Sequence, residues 1–231
     1  MSDRLREADL IHLLETLQEG VDHLYLLGDV FEDFIEYRHV TPKGFARLQG
    51  LLAKWTDAGI PITYLVGNHD PWHIDYFERE LGVTIAFDDL TVVHQGCRIF
   101  LSHGDRVALS PMKSWLKGWM RHPVPVWLYR HLMPADVGIS LARFVSSTFG
   151  TRTIDRDLVD RLRVRARRIL ADSAADVVVF GHCHFPELTF WPEGRYLNPG
   201  YWHESRMFGR LVDGELELMR WNGQTASIVE D

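Results

Sequence analysis

Four apolar runs in this 231-residue chain break off into polar clusters of one kind. "LLGD" ends in Gly28-Asp29, "LVGNHD" in Gly67-Asn68-His69-Asp70, "FLSHGD" in His103-Gly104-Asp105 and "VFGHCH" in Gly181-His182-Cys183-His184. Each supplies a glycine, which lets a chain turn sharply at a strand end, and each supplies Asp, Asn or His. Carboxylate, amide oxygen and imidazole are ligands of hard and borderline divalent cations. A carboxylate is also able to bridge two ions. Taken singly, a strand-end Asp or Asn is ordinarily a turn residue, and a lone His a surface or hydrogen-bonded one. The spacing His182-x-His184 puts both rings on one side of an extended segment. Four such clusters in this order, each behind an apolar run, point to a divalent-metal site.

The elements that must position them follow from periodicity. Leu5, Ala8, Ile11, Leu14 and Leu17 have helical spacing, and "HLYLLGD" reads as a buried strand ending at Gly28. Thr41-Pro42 predicts a helix start with Pro at the first helical position. Phe45, Leu48, Leu52 and Trp55 give that helix an apolar face, and Gly59 closes it. "PITYLVG" is a second buried strand. Hairpins are expected at Gln95-Gly96 and at Asp213-Gly214. Residues 155 to 171 predict an Arg-rich helix with Leu158, Leu162, Ala166 and Ile169 inward, followed by the strand in "ADVVVFGHCH". The order implies an α/β arrangement whose sheet is mixed rather than purely parallel. A nucleotide-binding crossover fold is the rival, but no G-x-G-x-x-G or G-x-x-x-x-G-K follows a strand.

The ordered set "GD", "GNHD", "HGD", "GHCH" resembles the calcineurin-like metallophosphoesterases, and the resemblance covers most of the chain. It implies a two-sheet β-sandwich flanked by helices, with a two-metal centre at the strand ends. By position, Asp29 would bridge the two metals, Asn68, His103 and His182 would complete one site, and His184 would belong to the other. His69 resembles the family histidine that contacts the scissile phosphate and assists the leaving group, with Asp70 orienting it. Two ions about 3.5–4 Å apart would clamp the phosphate and activate water, with no protein nucleophile. Manganese suits the mixed O and N donors, and iron, zinc or cobalt also fit. Cys183 reads as a small strand residue rather than a ligand.

The family's first motif, Asp-x-His on a first strand, has no counterpart in residues 1 to 28. Asp9 and His12 fall inside the helical pattern at the wrong spacing. The expectation is a sequence that begins inside a longer natural protein. The alternative is a whole chain with one metal site, Asp29/Asn68/His103/His182, and weak or no hydrolysis.

Residues 108 to 153 read as a helical insertion in a single domain spanning 1 to 231. Trp115, Trp119, Trp127 and Tyr129 alternate there with Lys113, Lys117, Arg121, Arg130 and Arg143, and Pro123 and Pro125 split it into short helices. It is either a cap with its own small core or an amphipathic lid that holds acyl chains against an anionic membrane. Trp115, Trp119, Lys113, Lys117 and Arg121 are the candidate substrate-binding residues. This insertion, with "GYWHES" and "GNHDPWHIDYFERELGV", resembles the UDP-2,3-diacylglucosamine diphosphatases of lipid A biosynthesis. That resemblance implies release of UMP and a lipid monophosphate by a cytoplasmic enzyme peripheral to the inner membrane. Many members of that group have Arg where this chain has His69.

Composition narrows the alternatives. The net charge is −7, yet Arg106 to Leu170 holds thirteen Lys and Arg against four Asp and Glu, so a basic segment is set in an acidic body. It is either a solvated helix face or a surface for an anionic ligand or membrane. The acidic body argues against nucleic acid, whose binding depends on phosphate neutralisation. Two cysteines form no disulfide framework and fit a reducing compartment. The charged start "MSDRLREADL" predicts no signal peptide, and no apolar run reaches the roughly 20 residues of a membrane span. Two readings remain beside the lipid-linked pyrophosphatase: a soluble phosphodiesterase or phosphatase, and a non-catalytic metal- or lipid-binding relative.

Overall fold

The computed structural model describes residues 3–31, 34–107, 122–141 and 154–229. In chain order the strands are β1 Leu24–Leu26, β2 Ile62–Leu65, β3 Thr84–Ala86, β4 Leu90–His94, β5 Cys97–Ser102, β6 Val177–Phe180, β7 Glu187–Trp191, β8 Gly194–Asn198, β9 Met207–Val212, β10 Glu215–Trp221 and β11 Ala226–Ile228. With the helices between them they make an α/β chain. It divides into two compact units, one of Met1–Asp22, Asp88–Ala108 and Ile154–Asp231, the other of His23–Phe87 and Leu109–Thr153.

In the first unit, β4 and β5 form the expected hairpin. Gln95 and Gly96 both take positive φ (51° and 79°), the backbone of a tight two-residue turn. β5 then lies parallel to β6, and β6 parallel to β8, in the five-stranded mixed order β4-β5-β6-β8-β7. All four residues of β6 are buried, as a Val-rich central strand requires. The helix Arg156–Ala171 starts at Asp155, whose carboxylate accepts the N–H groups of Asp157 and Leu158 at 3.0 and 3.2 Å. Its face of Leu158, Leu162, Ala166 and Ile169 is buried in a core that includes Val178, Phe180 and Tyr196. Removing a side chain as enclosed as Leu162 costs about 2–5 kcal/mol. Asp213 and Gly214 turn β9 into β10 with φ of 52° and 81°. The helix Asp3–Leu17 buries Leu13 and Leu14, while Leu5 stays exposed. Its Asp9 pairs with Arg206 at 2.9 Å and its His12 meets the Trp221 ring edge-on, so both serve packing.

The second unit holds a parallel three-stranded sheet, β1-β2-β3. β1 is shorter than the apolar run suggested, because Gly28 and Asp29 take left-handed backbone at φ 83° and 53°. The helix expected from Pro42 begins at Ala46. Gly44 and Phe45 have φ of 123° and 52°, and such residues cannot continue a right-handed helix from Pro42. From there the reading holds: Leu48, Leu52 and Trp55 are fully enclosed, and Gly59 follows the helix end with φ 84°. Of the stretch expected to be an insertion, residues 108 to 121 and 142 to 153 lie outside the described residues. With them lie Lys113, Trp115, Lys117, Trp119 and Arg121. The described part contains the helix Pro123–Leu132. Among the described residues no helix is long and apolar enough to cross a membrane.

Candidate functional site

The second unit carries Asp29, Asn68, His69 and Asp70 on two loops that are tied together. β2 is buried along its whole length and runs through Val66 into Gly67. Gly67 is required here by close approach: a Cβ would overlap the carboxylate and backbone N–H of Asp29. The Asp29 carboxylate accepts the His69 N–H at 2.8 Å. In return, Asp70 reaches back from the second loop to the first. Its Oδ1 accepts the Gly67 N–H at 2.8 Å, and its Oδ2 accepts the Val30 N–H at 2.9 Å and the Tyr64 hydroxyl. Asp70 is fully buried and orders the backbone that presents Asn68 and His69, both half-buried. Burial, reinforced by the adjacent Asp70, pushes the Tyr64 phenol well above its ordinary value and keeps it a donor.

Sequence reasoning missed Tyr64, and it missed two further residues that support this loop. Glu36 is buried, and its carboxylate accepts the N–H groups of Ile74, Asp75 and Tyr76 at 2.7, 3.0 and 3.0 Å. Arg130, on the helix Pro123–Leu132, donates to the carbonyls of Trp72 and His73 at 3.0 and 3.4 Å. Trp72 also meets the Tyr129 ring edge-on at 4.8 Å. No local pattern flags Glu36 or Arg130, because their partners lie about 40 or more positions away.

The first unit carries His103, His182 and His184. Ser102 and Phe180 are register partners at the ends of parallel β5 and β6. The residues just beyond therefore emerge side by side, and the rings of His103 and His182 stand 5.0 Å apart. Gly104 turns the chain away with φ 93°, its absent Cβ sparing a 3.2 Å contact with Leu162. Asp105 is buried beside it. The pair His182 and His184 does not sit on an extended segment, contrary to the expectation from its spacing. β6 stops at Phe180, the Cys183 N–H folds back on the Gly181 carbonyl at 2.8 Å, and both histidines take left-handed backbone (φ 65° and 58°). A non-glycine residue in that region costs about 1–3 kcal/mol and persists where its surroundings over-determine it, often at functional sites. His184 stacks on Tyr201 at 4.6 Å with planes 17° apart. Cys183 is buried, and its sulfur accepts from the Asn198 amide at 3.1 Å. Burial raises its thiol pKa, which disfavours the thiolate a metal would need.

These donors suit a divalent cation. In the second unit Asp29 offers a carboxylate and Asn68 an amide oxygen, and in the first unit His103 and His182 offer neighbouring imidazoles.

The chain is similar to known proteins in the following ways. Residues 6–186 match the family model described as calcineurin-like phosphoesterase. A protein of Porphyromonas gingivalis named UDP-2,3-diacylglucosamine hydrolase is 30% identical over 85% of this chain and 82% of its own length. One of the same name from Ectopseudomonas mendocina is 30% identical over 76% of this chain and 73% of its own. Among solved structures, YfcE, a phosphoesterase from E. coli, overlays with a TM-score of 0.47 at 19% identity, covering 97% of this chain and 91% of the other.

Proposed function

The chain belongs to the calcineurin-like phosphoesterase family and is a phosphoester hydrolase, and from that premise we propose that it cleaves the pyrophosphate of UDP-2,3-diacylglucosamine to UMP and the acylated sugar 1-phosphate. The observation that carries this reading is the pair of relatives of that name, each aligned over roughly three quarters or more of both chains.

Asp29, Asn68, His103, His182 and His184 would hold the metal, with Asp29 serving two ions and manganese the preferred species. Bound there, divalent ions supply charge stabilisation at the phosphate and a nucleophile from water at neutral pH. The rest is the work of the chain. Asp70 and Tyr64 fix the loop that presents His69. His69 then stands next to Asn68 to contact the scissile phosphate and give a proton to the departing oxygen. Water adds to phosphorus while the bridging P–O bond breaks, so no side chain is acylated or phosphorylated.

The insertion supplies the affinity for lipid. On the helix Pro123–Leu132, Val124, Trp127, Leu128 and Leu132 are exposed by 56, 56, 42 and 76%. Their spacing sets them along one stripe, an arrangement suited to acyl chains or to the surface of an anionic membrane. Trp115, Trp119, Lys113, Lys117 and Arg121, which precede this helix in the sequence, are the aromatic and cationic candidates for substrate binding. Each buried acyl CH₂ contributes about 0.8 kcal/mol, so a diacyl substrate gains far more here than a free nucleotide.

Hydrolysis of UDP-2,3-diacylglucosamine compared with a small chromogenic phosphodiester tests this. The unmodified protein should prefer the acylated substrate. Exchanging Trp115 and Trp119 for Ser should lower that activity by about tenfold, ~1.4 kcal/mol, and spare the small substrate. Equal losses on both would make the insertion a folding element. No preference in the unmodified protein would favour a soluble phosphodiesterase.

A further inference from the structure

Asn198 is the last residue of β8 and is fully buried. Its amide nitrogen donates to the Gly181 carbonyl at 2.8 Å and to the Cys183 sulfur at 3.1 Å. Its amide oxygen accepts the Gly200 N–H at 2.9 Å. Both donor hydrogens are thereby used on the turn between β6 and β7, and the acceptor is used on the arm that leaves β8. The two residues touched on the turn, Gly181 and Cys183, alternate with His182 and His184. Those histidines hold left-handed backbone, which the local sequence does not favour and which needs an outside restraint. The arm is fixed as closely. Gly200 has φ 76°, and a Cβ there would come within 2.9 Å of Pro186, just past the turn. The next residue, Tyr201, lays its ring on His184.

We propose that Asn198 is a positioning residue: it clamps the Gly181–His184 turn with its amide nitrogen and, through Gly200, seats Tyr201 on His184, so that both imidazoles are aimed before any metal arrives. This rests on the reading of His182 and His184 as metal ligands. It also explains why a fully buried polar side chain ends β8. An apolar residue of the same volume would leave the Gly181 carbonyl and the Gly200 N–H without these partners.

The test uses the full chain and Asn198→Asp, which keeps the shape and the acceptor for Gly200 but replaces the donor with a carboxylate. Asn198→Ser, neutral and too short to span the turn, guards against a variant lost to buried charge. His184→Ala runs in parallel. Three quantities are measured: circular dichroism, Co²⁺ affinity by calorimetry, and the His184 ring-proton shift in metal-free protein, which stacking on Tyr201 displaces. Folded Asn198 variants should bind Co²⁺ about 10–100-fold more weakly, the usual effect of losing a group that orients a ligand. Their His184 signal should move toward that of an unstacked imidazole. Wild-type affinity and an unmoved signal in a folded variant would overturn the proposal, as would loss of fold in both variants. Should His184→Ala bind Co²⁺ as wild type does, the ligand reading fails. The ring-proton shift then still decides whether Asn198 positions His184.

Discussion

Inside the second unit the phenolic hydroxyl of Tyr64 donates to the carboxylate of Asp70, six residues further along and fully buried. Tyr64 belongs to β2 and Asp70 to the loop that β2 feeds, so the strand grips its own outgoing turn. Asp70 in turn grips Gly67 and Val30. Tyr64→Phe removes one of three donors from a buried carboxylate and should destabilise the protein by about 1–3 kcal/mol. Asp70→Ala strands all three donors and should cost more. Urea unfolding checks the order, and an unchanged midpoint for Tyr64→Phe would refute the coupling.

Ligand and proton donor should separate on mutation. Asp29→Ala is expected to lose bound metal, because on the proposed reading this one carboxylate would serve both ions. His69→Ala should retain metal and lose turnover by about 10²–10⁴-fold, the range for a general acid. Elemental analysis beside single-turnover rates distinguishes them. Metal loss in His69→Ala would reassign that residue as a ligand.

Gly67→Ala should be far more damaging than a surface Gly→Ala exchange. The new methyl would overlap the Asp29 carboxylate and N–H, groups on backbone that Val30 and Asp70 hold in place. The two loops would separate, the Asp29–His69 bond at 2.8 Å would break, and metal affinity should fall together with thermal stability. Gly50→Ala, where a Cβ meets nothing within 4 Å, is the matched control. Equal melting temperatures for the two variants would contradict the close-approach argument.

Acid sensitivity should trace to His73. Its ring is buried against Phe34, Tyr64 and Phe77, and burial lowers its pKa from 6.5 to about 4. Between those values the unfolded chain binds a proton that the folded chain refuses. Stability therefore rises with pH across this window and is lost as pH falls from about 6.5 through about 4. The full loss is on the order of 3 kcal/mol at ~1.36 kcal/mol per pH unit. His73→Phe should flatten the slope of unfolding free energy between pH 4 and 6.5. A slope identical to wild type would assign the acid sensitivity to other groups.

The residues themselves determined which apolar runs become strands and which polar side chains follow them, because those signals are local. Glycine next to Asp, Asn or His marked all four clusters. Alternation across Gln95-Gly96 and Asp213-Gly214 marked two of the hairpins, and a 3.6-residue period marked the inward face of Arg156–Ala171. Tertiary structure decided what holds these clusters. The left-handed backbone of His182 and His184, the delayed helix start at Ala46, and the restraining roles of Asp70, Glu36, Arg130 and Asn198 are absent from any local pattern. The physical reason is that a buried polar group must find its partners wherever folding brings donors and acceptors together. For Asp70 a partner lies 40 residues back, for Arg130 58, and for Asn198 17. Composition and periodicity describe neighbours along the chain, whereas these bonds join neighbours in space.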